Sequence, residues 1–144
     1  MGFLKDMIKL SRLACYGVVI LSEMAIGGEK LMTASGISDK SGLPEPTVAK
    51  ILKLLAKGGF IASSRGVKGG YTLEKEPENI SIASVITALD GEIALTGCVQ
   101  GKNEDCRLQG FCSLQGCWDH LNNAVRQALE QEKLSDLISR KVWQ

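Results

Sequence analysis

The sequence predicts a mostly α-helical fold with one small β-hairpin, on three observations. Apolar residues recur at three- and four-residue spacing in several segments, two short strand-like runs flank a single glycine-rich loop, and the breaks between segments carry Gly, Pro or capping Ser and Thr. A chain of 144 residues holds one domain, or a compact domain plus an appended helix, which excludes a large multidomain enzyme. With 44% hydrophobic and 23% charged residues it buries a core and is not a disordered chain.

The first helix is expected from about Leu4 to Ala25, because Leu4, Ile8, Ala14, Val18, Leu21 and Ala25 fall on roughly one face before Gly27-Gly28. Its longest apolar run, Leu13 to Leu21, is about half of what a bilayer crossing requires, so no membrane span fits. Met1 to Arg12 mixes Lys5, Asp6, Lys9 and Arg12 with apolar residues, unlike an export signal, and a cytoplasmic protein is expected. Thr33 or Ser35 caps a short helix reaching toward Lys40, which Ser41-Gly42 breaks. Proline disfavours helix in the residue before it yet is tolerated in a first turn, so the next helix starts near Pro46. It runs to Lys57 and stops at Gly58-Gly59.

Along that third helix Val48, Ile51, Leu52 and Leu55 make an apolar face, while Thr47, Lys50, Lys53 and Lys57 occupy the other turns. A helix, a turn at Gly42 and a second helix with a cationic face form a helix-turn-helix, whose second helix suits a DNA major groove. Phe60 to Ser64 and Tyr71 to Leu73 then read as strands around Arg65-Gly66-Val67-Lys68-Gly69-Gly70, a wing. Ile82 to Leu89 is a helix capped by Ser81 and closed by Gly91, followed by a loop from Thr96 to Gly116 rich in Gly, Gln and Cys. From Trp118, the residues Leu121, Val125 and Ala128 form a seam suited to a partner helix, and Leu134 to Ile138 make a closing helix. The expected architecture is therefore a winged helix-turn-helix over residues 1–80 plus a cysteine-loop and dimerisation region over 81–144, assembled as a homodimer through a long dimerisation helix.

Overall charge does not announce a partner, since 17 basic residues face 16 acidic ones. Local clustering does: residues 44–70 hold Lys50, Lys53, Lys57, Arg65 and Lys68 against Glu45 alone. On a duplex, Pro46, Thr47 and Lys50 stand at the start of the reading helix, where Thr47 and Lys50 face base edges or phosphates. The backbone amides at Thr33 to Ser35 hold a phosphate, and Arg65, with Lys68 beside it, reaches a minor groove. The bland alternative is a winged helix used only for protein contacts. The wing glycines are not a nucleotide loop, because no Gly-Lys-Ser/Thr follows them. Without a Cys-x-x-Cys pair, and with one histidine, His120, the chain does not read as an enzyme.

Five cysteines, an odd number, argue against a disulfide framework, and four of them fall between Cys98 and Cys117. Gaps of seven, five and four residues separate Cys98, Cys106, Cys112 and Cys117, and the paired knuckles usual for zinc are missing. Thiolates suit zinc or an iron-sulfur cluster equally by ligand type. A disulfide switch, or four unrelated thiols, are the other readings. Cys15, in an apolar helix, packs as a small hydrophobe on the ordinary expectation. His120 reads as an ordinary helix residue.

Leu10-Ser11-Arg12-Leu13-Ala14-Cys15-Tyr16-Gly17, Gly42-Leu43-Pro44, Lys53-Leu54-Leu55-Ala56-Lys57-Gly58-Gly59-Phe60 and Ser64-Arg65-Gly66-Val67-Lys68-Gly69-Gly70-Tyr71, in that order, resemble the winged-helix regulators that include IscR and NsrR. The likeness continues through Ile80-Ser81-Ile82-Ala83, Ala88-Leu89-Asp90-Gly91, Ile93-Ala94-Leu95-Thr96, the cysteine loop and Trp118, so it covers nearly the whole chain. Pro44-Glu45-Pro46-Thr47 and Lys50-Ile51-Leu52-Lys53 look most like regulators of the SUF iron-sulfur assembly operon. The resemblance implies a homodimeric transcription factor on a double-stranded DNA operator, a repressor of iron-sulfur assembly genes responding to iron, oxygen or nitric oxide. It also implies a 2Fe-2S or 4Fe-4S cluster on Cys98, Cys106 and Cys112. The fourth ligand departs from precedent: Gln115 stands where some members have histidine, and Cys15 where others have an aspartate. Cys117 or Cys15 completes the set.

Overall fold

A computed structural model describes residues 9–28, 31–96, 99, 111–114 and 116–141. Helices α1 (Arg12–Ile26), α2 (Ala34–Ser41) and α3 (Glu45–Lys57) lead into strands β1 (Ile61–Ser64) and β2 (Gly70–Leu73). A 3₁₀ turn at Pro77–Asn79 precedes α4 (Ile82–Asp90), α5 (Cys117–Gln131) and α6 (Leu134–Lys141). The mostly helical fold with a hairpin wing is thus as expected, and no helix among the described residues is long and apolar enough to cross a membrane.

The start of α1 differs from the periodicity reading. Residues 1–8 lie outside the described part, and 9–11 are not helical. Ser11 is the reason: its backbone is extended (φ −65°, ψ 156°) and its hydroxyl accepts the Ala14 N–H at 3.0 Å, which caps a helix at Arg12. The same hydroxyl donates to the Asp90 carboxylate, 2.7 Å from Oδ1, and so fastens the first turn of α1 to the end of α4. The buried stripe of α1 also runs through Gly17, Ile20 and Met24, while Val18 and Ala25 are only half-buried. A Cβ on Gly17 would stand 2.1 Å from a Leu89 methyl, so a glycine lets α1 and α4 cross closely.

Other boundaries follow their capping chemistry. Thr33 Oγ1 accepts the Gly36 N–H at 3.0 Å, Ser81 Oγ accepts the Ser84 N–H at 3.1 Å, and Gly42 ends α2 at φ +77°. Helix α3 begins after Pro44, with Val48 N–H bonded to the Pro44 carbonyl at 3.0 Å and Pro46 in the first turn, where its missing N–H costs nothing. Helix α6 starts at Leu134, where the Lys133 N–H donates to Asp136 Oδ2 at 2.9 Å, and runs past the expected Ile138.

Antiparallel pairing sets Ile61 opposite Leu73 and Ser64 opposite Gly70, so β2 opens one residue before the expected Tyr71, and β1 one after Phe60. Ile20, Leu21, Ile37, Val48, Ile51, Leu52 and Leu55 make the core, which Phe60, Ile61, Ile80, Val85 and Leu134 join. Fully burying each such side chain contributes about 1.5–3 kcal/mol. Because Ile80 and Val85 of the α4 region share this core with α3, the wing, α3 and α4 are held as one unit.

Candidate nucleic-acid interface and cysteine centre

The helix-turn-helix presents its sequence-picked residues at the surface. Lys50, Lys53 and Lys57 are exposed on α3 opposite the fully buried Val48, Ile51, Leu52 and Leu55, as is Pro46, while Thr47 is half-buried. Ser35 is exposed in the first turn of α2. Thr33 has its hydroxyl committed as the cap acceptor, so its contribution to an anion is the positioning of the following amides.

One backbone contact joins the wing to this helix start. Met32 N–H bonds to the Tyr71 carbonyl at 2.9 Å and Tyr71 N–H to the Met32 carbonyl at 2.7 Å, so the residue before Thr33 pairs with β2. Gly70 permits the approach, since a Cβ there would stand 2.7 Å from the Met32 carbonyl oxygen. The α2 start and the wing root are therefore neighbours. Beyond the root, Arg65 and Lys68 are exposed in a turn where Gly66 has φ +111° and Gly69 N–H bonds to the Gly66 carbonyl at 2.9 Å. Five cations thus lie exposed on α3 and the wing, a surface suited to phosphates.

Of the cysteines singled out by sequence, Cys98 and Cys106 lie outside the described residues. Cys112 is half-buried, and Cys117 is exposed as the first residue of α5, whose cap, Gly116, has φ +85°. Cys15 is also exposed, which overturns its reading as a buried packing thiol. The apolar run around it is broad, yet only Ala14, Gly17, Ile20 and Leu21 turn inward there, leaving position 15 on the outer side. It sits one turn past Ser11, the residue fastened to Asp90, so it belongs to the end of the molecule where the chain leaves α4. These three cysteines are free thiols. Free, accessible thiols are the soft donors that an iron-sulfur centre needs, and this donor chemistry fits one. Among the described residues no three His, Cys, Asp or Glu side chains converge as a metal site. His120 is exposed on α5.

A residue that sequence reasoning missed organises this region. Asn122, 1% exposed, is the buried polar side chain of the core among the described residues. Its Oδ1 accepts the Leu95 N–H at 2.9 Å and its Nδ2 donates to the Ile93 carbonyl at 2.9 Å. The irregular segment leaving α4, three residues short of Cys98 in sequence, is thereby clamped to α5. Asparagine offers a donor and an acceptor on one planar group, which matches two peptide groups of a neighbouring chain.

The outer face of α5 is apolar and uncovered. Trp118 is 37% and Leu121 47% exposed, Ala128 is exposed, and Leu114 and Phe111 just before the helix are 53% and 90% exposed. Val125, also counted with the seam in the sequence, is half-buried. The helix spends part of its apolar surface inside its own chain through Leu129, which packs against Ala14, Ile82 and Ile86.

A model of the Rrf2 family, described as an iron-dependent transcriptional regulator, matches residues 10–140. IscR of Vibrio vulnificus, an HTH-type transcriptional regulator, is 31% identical over 133 residues, covering 92% of this chain and 78% of IscR. Among solved structures, CymR, the global cysteine regulator of B. subtilis, superposes with a TM-score of 0.72 at 28% identity, covering 92% of this chain and 98% of CymR. IscR of T. potens gives 0.71 at 25% identity over 93% of this chain and 88% of its own.

Proposed function

Given that the chain belongs to the Rrf2 family of transcriptional regulators, a winged-helix DNA-binding family and not a family of enzymes, we propose that it is an iron-sulfur-dependent regulator that acts as a cytoplasmic homodimer on a double-stranded operator. Cys98, Cys106 and Cys112 are the ligands in this reading, with Cys117 or Cys15 as the fourth, holding a 2Fe-2S or 4Fe-4S cluster. Residues 1–80 read DNA and 81–144 sense and dimerise. The regulated genes are those of iron-sulfur assembly, which the protein represses in response to iron, oxygen or nitric oxide. When bound, such a cluster supplies an oxidisable crosslink among thiolates.

The observation that carries the reading is the pairing of an exposed cationic α3 and wing with free thiols at Cys15 in α1 and at Cys112 and Cys117 around the start of α5. Protein groups supply the coupling. Asn122 fixes the segment leaving α4 to α5, Ser11 fixes α1 to Asp90, and Val85 and Leu89 of α4 pack in the core beneath α3. A change in what the thiols hold is thus passed to α5, whose apolar outer face docks on its copy and so sets the spacing of two reading heads along about one helical turn of DNA.

Anaerobic purification of the full chain tests this, with an optical spectrum and iron, sulfide and zinc analysis, repeated for Cys15→Ala and Cys117→Ala. Brown protein with comparable iron and sulfide is expected, and one of the two variants loses iron. A second reading, thiol redox sensing without iron, is favoured by the exposure of Cys15 and Cys117. It predicts colourless protein whose operator binding still responds to oxidants. Stoichiometric zinc would instead mark a structural metal site.

A further inference from the structure

The turn of the wing carries a fully exposed apolar side chain, Val67. Val67 has 107% of its reference exposure, the largest among the exposed large hydrophobics described. Isolated exposed apolar residues are ordinary, so its setting decides what it does. Arg65 and Lys68 stand on either side of it, both exposed. Gly66 at φ +111° and the Gly69 N–H to Gly66 carbonyl bond of 2.9 Å fix the turn, and a Cβ on Gly69 would stand 2.6 Å from the Ser64 carbonyl oxygen. The Met32–Tyr71 pairing fastens the hairpin to the start of α2. Val67 is therefore presented on a rigid mount, at a set place relative to α3. As a β-branched residue it has few rotamers to lose on contact.

Across the phosphate ridge from a major groove lies a minor groove, so a wing beside a helix seated in the one reaches the other. That groove is about 6 Å wide, and its floor offers acceptors at A·T pairs but an added N2 amino donor at G·C pairs. Two cations on flanking positions suit its two phosphate walls. A valine between them has no acceptor for the guanine amino group and would strip it of water. We infer that Val67 is a specificity-determining residue that selects against guanine where the wing tip meets the minor groove, with Arg65 supplying attraction and Val67 the discrimination. This rests on the DNA-binding reading above and adds to it the sequence class preferred under the wing.

Inosine makes the test, because an I·C pair lacks the minor-groove amino group while keeping the major-groove atoms of G·C. Full-length protein selects a duplex from a random library, and the base pairs protected by the wing are rebuilt as A·T, G·C or I·C. Wild type is expected to bind A·T and I·C alike and G·C about tenfold more weakly, within the range of a single base contact. Val67→Ala should weaken A·T binding about threefold and shrink the preference over G·C below about threefold. Val67→Asn, which offers an acceptor, should abolish or reverse the preference. Discrimination that treats I·C like G·C, or that survives in Val67→Ala, overturns the inference while leaving DNA binding intact. If no duplex is selected at all, the regulator reading fails and takes the inference with it.

Discussion

Helices α3 and α5 are of similar length yet are held to different degrees by apolar burial. Four apolar residues of α3, Val48, Ile51, Leu52 and Leu55, are fully buried, whereas the one buried residue of α5 is the polar Asn122. The reading helix is secured by hydrophobic burial inside its own chain. Helix α5 is held by a two-bond clamp on an irregular segment and by the half-buried Leu129 packed against Ala14, Ile82 and Ile86, with Trp118 and Leu121 turned to solvent. A DNA-binding surface is served by a rigid mount, and under the proposed function the polar clamp ties α5 to the segment that leads toward the cysteines.

Substitutions that reach each mount separately break or sharpen this contrast. The largest effect is expected in the head: Leu52→Ala removes a fully buried side chain and should cost about 2–5 kcal/mol in urea unfolding. Next comes Asn122→Leu, which keeps the side chain's branching but strands the Leu95 N–H and the Ile93 carbonyl, for about 1–3 kcal/mol. Hydrogen exchange should then speed up at residues 93–95 while the Met32–Tyr71 amides of the wing root stay protected. Equal loss of protection in both places would show that α5 and the head unfold as one and that the contrast is false.

Gly17→Ala falls between the halves. Its added methyl meets Leu89 at the α1–α4 crossing, and about 1–3 kcal/mol is expected unless Leu89 shifts rotamer freely. Surface changes come last in stability, at about 0.5 kcal/mol or less, but separate the functions. Leu121→Glu should turn a dimer into a monomer in analytical ultracentrifugation with the melting of the isolated subunit unchanged. Lys50→Ala should leave the dimer intact and lower the slope of log affinity against log salt by about 0.9 if it meets one phosphate.

How much of this was legible in the sequence follows the range of the interactions. Thr33, Ser81, Gly42 and Gly91 announce helix ends because capping is local, acting over three or four residues, and the buried face of α3 follows from spacing alone. The start of α1 was misplaced because the apolar spacing continues upstream while Ser11 quietly ends it. Asn122 carries no local signal, since it looks like any polar residue of a surface helix and its partners lie 27 and 29 positions away in a segment without periodicity. Cys15 misled for a related reason: an apolar neighbourhood in sequence is not a buried position, and the helix turns that side chain outward. Cys98 and Cys106, read from the cysteine spacing and the family likeness, lie outside the described residues, so the ligand set rests on sequence.

Operator affinity of one anaerobic, full-length preparation, measured before and after removal of its iron at a single salt concentration, bears most directly on whether thiol chemistry in the second half governs DNA reading in the first. A change of about tenfold or more is expected, the size of an ordinary coupling free energy between two sites. Unchanged affinity, or a preparation that never held iron yet binds the operator with full strength, would contradict it.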